Sequence, residues 1–362
     1  MSKNVLLLFA KLPEPGMAKT RLSVLKDGFF SPEDAAELFG CMLLDVVEIC
    51  LGAFEQMKSK ATESDRTAKT DGVAIKDEVA GIDGVDAIDG NAHRNGVAGI
   101  GKTASQDAET YELVISTAPA ENATAMREFI AAEFGEGSVE LSDGSASETQ
   151  PAKPIRVITD SGHSFDEHYN DAFEQVWAMD ADSILSMGAD MPALTADDIV
   201  RGFDALYELE AQGRRGIVLA PDQEMGVSIV GWNRDTAFNT DQSGEQASDC
   251  NATPGSDHGF DHTGVYYNPT GLTVLPAYIE KAREAGIDVV WLPPVPDVDT
   301  MSDLAHNLTL IDALAYCSEC VDRNGAMFSW AHRTHKKLED LGVAMVRIPP
   351  NELRDPRDLI DG

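Results

Sequence analysis

Short strand-like runs, mostly apolar, recur at 5–9, 112–116, 155–158, 183–187, 216–220, 227–231 and 287–292. Between several of them, apolar residues return at helical spacing over 32–51, 123–134, 166–179, 196–209 and 274–285. This alternation predicts βα crossovers and an α/β fold with a mostly parallel sheet covered on both faces. Helix starts carry caps: Ser31 stands before Pro32, Glu33 and Asp34, and Thr195 before Ala196, Asp197 and Asp198.

Three stretches break the pattern. Residues 58–109, 137–153 and 240–262 are rich in Ala, Gly, Asp, Ser and Thr, with few aromatics, so they bury too little apolar surface to offset the entropy of ordering. They are expected to be flexible insertions in a main domain spanning 1–304, followed by a helical extension over 305–362. The first contains Gly96-Val97-Ala98-Gly99-Ile100-Gly101-Lys102-Thr103, which satisfies the phosphate-loop pattern Gly-x-x-x-x-Gly-Lys-Thr. A working phosphate loop needs a buried strand before it and an amphipathic helix after it; neither is present, and the match reads as chance. The sequence 342–350 also echoes 286–294, each a Gly-led apolar run ending in Pro-Pro.

The chain has 362 residues, 43% of them hydrophobic, which is enough for a substantial core. Its net charge of −34 argues against nucleic acid or an anionic membrane as a partner. The apolar run after Met1 is too short for a signal core or a membrane span, and no longer one follows, so a cytoplasmic protein is expected. Cys317 and Cys320 fall in a helical stretch and read as reduced helix residues rather than a metal or redox pair. His332 and His335, beside Lys336 and Lys337, read as a solvated helix face.

Three segments carry chemistry. Against so acidic a background, Lys11, Lys19 and Arg21 cluster in the Pro/Gly loop after the first strand, where an anion such as a phosphate would sit. Asp190 ends an apolar strand, before Met191-Pro192 and a helix, and carboxyl ends of parallel strands are where ligands bind in open α/β sheets. Asp297 and Asp299, spaced i, i+2 on an extended segment, point the same way, and Thr300 is placed to cap a helix beginning near Met301. Together these acids form a candidate Mg²⁺ or Mn²⁺ site.

The segments Phe9-Ala10-Lys11-x-Pro13-x-Pro15-Gly16-x-x-Lys19-Thr20-Arg21-Leu22, Gly188-Ala189-Asp190-Met191-Pro192 and Asp297-Val298-Asp299-Thr300-x-x-Asp303-Leu304 resemble the small GT-A-fold glycosyltransferases of the arsenosugar-biosynthesis, or selenodomain-associated, type. The resemblance covers about 200 residues once the insertions are removed. It implies a three-layer α/β/α sandwich of the nucleotide-diphospho-sugar transferase kind. It further implies that backbone N–H groups around Pro15, Gly16 and Met17, with Lys11, Lys19 and Arg21, hold the phosphates of a nucleotide sugar or NTP. Asp190, Asp299 and Asp297 would hold the metal, and Asp190 and Glu224 would be catalytic, acting on a small-molecule acceptor. Two elements depart from the family pattern. His163-Ser164-Phe165-Asp166-Glu167-His168 stands for Gly-Asp-Leu-Gly-x-Arg, and Gln223-Glu224-Met225-Gly226-Val227 stands for Glu-Asp-Gly-Gly-Tyr, keeping one acid and one glycine. The expected activity is metal-dependent glycosyl transfer. Nucleotidyl transfer with release of pyrophosphate, and nucleotide binding without turnover, are the alternatives.

Overall fold

The computed structural model describes residues 2–70, 109–141, 154–236, 261–322 and 328–343. Eight strands form one mixed sheet in the order β3-β4-β2-β1-β5-β7-β6-β8. They are β1 (Lys3–Phe9), β2 (Thr110–Thr117), β3 (Val139–Leu141), β4 (Ile155–Thr159), β5 (Ser183–Gly188), β6 (Gly216–Pro221), β7 (Val227–Asn233) and β8 (Asp288–Trp291). Five of the seven pairings are parallel; the exceptions are those that β7 makes with β5 and β6. The helices are α1 (Pro32–Thr70), α2 (Ala123–Phe134), α3 (Phe165–Ala178), α4 (Ala196–Ala211), α5 (Val274–Ala285), α6 (Met301–Asp322) and α7 (His332–Asp340).

The period of two along each strand sorts its residues between two apolar cores. On β1, Leu6 and Leu8 pack with residues of α1, α2 and α4, while Val5 and Leu7 pack with residues of α3 and α5. Helices thus cover both faces, which is why the central strand β1 reads as an unbroken apolar run from Val5 to Phe9. A third cluster, including Leu22, Leu38, Met42, Val298, Leu304, Ile311 and Leu338, joins the start of α1 to α6 and α7.

Ser31 and Thr195 cap their helices as expected. The Ser31 hydroxyl accepts from Asp34 N–H at 3.0 Å, and Thr195 with Asp198 forms a reciprocal capping box. Two boundaries differ from the sequence expectation. Helix α1 continues through Thr70, because Ala53, Phe54 and Met57 carry its buried stripe past residue 51 and no proline stops it; the first 13 residues assigned to the first insertion belong to this helix. Strand β3 lies inside the second insertion, pairing with β4 at the sheet edge. Of the third insertion, Asp261 and His262 are described, and His262 is completely buried. The remainder of the insertions, the Gly96–Thr103 match and the later part of the 342–350 echo lie outside the described residues. Helix α6 crosses residue 304 without a break. Among the described residues no helix is long and apolar enough to cross a membrane.

Candidate functional site

Strand β1 ends at Phe9, opposite Ser116 of β2 on one side and Gly188 of β5 on the other. The strand order reverses at β1, so the crevice beyond its carboxyl end is the topological switch point of the sheet. The loop that leaves β1 is a built structure. Ala10 N–H donates to the Ser116 carbonyl at 3.0 Å, and the Glu14 carbonyl accepts from Met17 and Ala18 N–H at 3.0 and 3.1 Å. Gly16 takes a positive φ of 76° inside this turn. Since Pro15 has no N–H and Met17 N–H is already engaged, only Gly16 of the three expected backbone donors has its N–H available to an anion.

Lys19 follows with φ 46° and ψ 42°, a left-handed conformation that costs a non-glycine residue roughly 1–2 kcal/mol. Buried Ala18 and Leu22 anchor the chain around it, and its side chain is only 8% exposed. Lys19 Nζ donates to Asp190 Oδ2 at 2.5 Å and to Asp299 Oδ1 at 2.7 Å. The Arg21 guanidinium, largely exposed, lies 3.7 Å from the other oxygen of Asp299. Lys11 is exposed and acts on Asp299 through its charge.

Two backbone features bring the acids together. Asp190 stands two residues beyond β5, and a Cβ on Gly188 would lie 2.6 Å from Asp190 Oδ1, so glycine is what lets this carboxylate fold back over the strand end. The chain leaving β8 continues along β6, with Leu292 N–H on the Leu219 carbonyl at 2.8 Å and Val295 N–H on that of Pro221 at 3.0 Å. It then crosses to β5, where Val298 N–H donates to the Asp190 carbonyl at 2.9 Å and leaves Asp299 beside Asp190. Thr300 caps α6 as expected: Asp303 N–H donates to its hydroxyl, and the buried Asp303 carboxylate accepts from Thr300 N–H and Oγ1 and from Asp299 N–H.

Electrostatics follow this geometry. Burial works to lower the Lys19 pKa, but the charges and hydrogen bonds of Asp190 and Asp299 outweigh it and hold the group above the ordinary lysine value. Burial likewise acts to raise Asp299, and Lys19, Arg21 and Lys11 reverse it, keeping this carboxyl below the usual range. Asp297 goes the other way: burial, then the Asp190 and Asp299 charges, push it up to about 7. Its carboxylate turns to Gln223, whose Nε2 donates to Asp297 Oδ1 at 2.9 Å and to Asp303 Oδ1 at 2.9 Å.

Lys11, Lys19, Arg21, Asp190, Asp297 and Asp299 are therefore brought to one crevice. Glu224 sits exposed on the β6–β7 turn, where Glu224 and Gly226 N–H both donate to Asp222 Oδ1. Gln223 and Asp303 are site residues that the motif reading did not single out as ligands; an amide between two acids gives no pattern along the chain.

The departing element 163–168 has its own structure. His168 Nδ1 lies 2.6 Å from Asp160 Oδ1, and Ser116 Oγ donates to Asp160 Oδ2 at 2.6 Å, at the ends of β4 and β2. Buried Asp166 accepts from the backbone N–H groups of Gly264, Tyr266 and Tyr267, fixing the segment before α5.

Asp190 and Asp299 fit a hard divalent cation of the kind that is held by one or two carboxylates, several waters and substrate phosphates. Lys19 Nζ occupies the point on which both carboxylates converge. Among the described residues no group of three or more His, Cys, Asp or Glu is arranged to hold a metal on its own.

A family model described as an uncharacterized protein conserved in bacteria (DUF2064) matches residues 107–244. No curated protein matches the sequence. Among solved structures, a nucleotide-diphospho-sugar transferase-like protein from Desulfovibrio desulfuricans G20 is similar with a TM-score of 0.50 and 16% identity, over 94% of this chain and 96% of that one. A cytidylyltransferase from Leptospira borgpetersenii serovar Hardjo-bovis aligns with a TM-score of 0.38 and 11% identity, over 94% and 95% of the two chains. A CMP:2-keto-3-deoxy-manno-octonic acid synthetase complexed with CTP aligns at 0.36 and 12%, over 86% and 99%. The first of these likenesses shows that the two chains share an α/β fold.

Proposed function

We propose that this chain is a GT-A-like α/β/α transferase that moves a sugar from a nucleotide-activated donor to a small acceptor. The observation that carries the reading is the convergence of Lys19, Asp190 and Asp299 at the switch point of the sheet. Lys19 and Arg21, with the Gly16 N–H, bind the donor phosphates through charge-assisted hydrogen bonds. Asp190 and Asp299 would hold Mg²⁺ or Mn²⁺, which when bound supplies positive charge to the leaving nucleoside diphosphate. Asp303 and Gln223 position the acids: the first fixes the backbone of Asp299 and Thr300, and the second holds the Asp297 carboxylate by a hydrogen bond. The acceptor is met in this reading by the β6–β7 turn, which carries the exposed Glu224. In this reading residues 1–304 are the catalytic part and the chain beyond supports it.

The test is product analysis with purified protein, Mn²⁺, a panel of nucleotide sugars and small hydroxyl acceptors. The expected outcome is acceptor-dependent release of a nucleoside diphosphate, reduced by about 10²–10³-fold in Asp190→Asn, the usual scale for losing an electrostatic stabiliser. Release of pyrophosphate from an NTP would replace glycosyl with nucleotidyl transfer. Nucleotide binding without product across the panel would make the chain a binding protein.

A further inference from the structure

We infer that the Lys19 ammonium and the divalent cation compete for the same two carboxylates, so that metal enters this site only when a nucleotide phosphate takes Lys19 away. The inference rests on the transferase reading for the identity of the ligands and on the geometry for the competition.

The ammonium makes short contacts with one oxygen of each acid, at 2.5 Å to Asp190 and 2.7 Å to Asp299. A divalent ion bound by those oxygens would stand within roughly 2.0–2.6 Å of each, which is the space that Nζ fills. Two cations cannot share it, and like charges in a half-buried site repel strongly.

Lys19 also cannot simply leave. Its side chain is 8% exposed, the Phe39 ring lies 5.8 Å from Nζ, and a buried ammonium stripped of its partners has nothing to balance its charge. The left-handed backbone at Lys19 fixes the root of the side chain, so the exchange is a swing of the side chain rather than a rearrangement of the loop. A phosphate in the adjacent loop offers that swing a destination, beside the Gly16 N–H and Arg21. Nucleotide and metal then bind with positive coupling. By linkage each raises the affinity of the other by the same factor, and Lys19 is the residue through which the coupling runs.

The experiment measures Mn²⁺ binding to the full chain by the electron paramagnetic resonance signal of free Mn²⁺. It compares wild type with Lys19→Met, first with Mn²⁺ alone and then with UDP, GDP, CDP or ADP, correcting for the affinity of Mn²⁺ for the nucleotide itself. Wild type should bind Mn²⁺ alone at least ten-fold more weakly than with the diphosphate that binds. Lys19→Met should bind Mn²⁺ alone at least ten-fold more tightly than wild type, and adding Asp190→Asn to it should reverse that gain. Lys19→Gln is the parallel variant if the methionine form does not fold.

Equal Mn²⁺ affinity in wild type and both Lys19 variants would overturn the competition. The Mn²⁺-alone comparison contains no nucleotide, so it judges the competition by itself. Failure of every diphosphate to bind would count instead against the transferase reading.

Discussion

A lysine held in the left-handed region persists only where its neighbours over-determine it, and Lys19 is held by a turn on one side, buried Leu22 on the other and two acids at its tip. The two ends of this contact were legible in the sequence: a cation in a Pro/Gly loop, and acids at strand and helix boundaries. The contact itself was not, because Asp190 and Asp299 lie 171 and 280 residues from Lys19 and local pattern carries no information at that range. Gln223 stands in a segment marked as departing from the family pattern, but its contacts with Asp297 and Asp303 are hidden by the same separation. Gly188 makes a sharp test of how the acids are aimed. In Gly188→Ala the new methyl meets the far end of the Asp190 side chain, which can move, rather than backbone, which cannot. The variant should keep a melting temperature within a few degrees of wild type yet lose at least ten-fold in Mn²⁺-dependent nucleotide affinity, about 1.4 kcal/mol, as read by titration calorimetry.

At the level of elements, helices α2 and α5 fall where periodicity places them, because Gly135 and Gly286 end them with positive φ. Strand β3 was missed since three residues are too few to show an alternation, and its existence depends on β4 offering an edge. The strands also carry one charged contact that predicts a pH response. Glu112 of β2, nearly buried, bonds Lys3 of β1 at 2.8 Å and Arg156 of β4 at 2.6 Å. Burial acts to raise its pKa, and the two cations overcome this and hold it below the ordinary value of about 4.5. A carboxyl depressed by folding stabilises the folded state above its unfolded pKa, and that contribution is lost as pH falls through the lower, folded value. Glu112→Gln should therefore cost about 2–4 kcal/mol at pH 7 by urea denaturation, with the gap to wild type closing as the pH is taken below 4.

Over the whole molecule, the described part of the helical extension is tied to the first helix. Asp45 of α1 is fully buried and accepts from Arg333 N–H and NH1 and from Thr334 N–H and Oγ1, while Arg333 also reaches Glu48 and Glu133. His332 is exposed, as its solvated helix face predicts, with Nε2 lying 3.3 Å from Glu48 at the edge of this contact. Asp45→Ala leaves those donors unsatisfied and should lower stability by about 2–4 kcal/mol, with hydrogen exchange in α7 rising before the rest of the chain. Composition could show that this end is helical, but not that a buried acid on α1 receives it. The placement of β7 has a different bearing. A strand that runs backwards between β5 and β6 sets a five-residue hairpin turn, 222–226, next to Asp190 where a parallel strand would have required a crossover helix. A turn of that kind can lengthen, shorten or change sequence while the flanking ladders keep their register. Within that turn Gln223 holds the acids and Asp222 holds the backbone, so the rim can diversify at exposed Glu224 and Met225, and variant libraries at those two positions are where altered substrate choice should be sought.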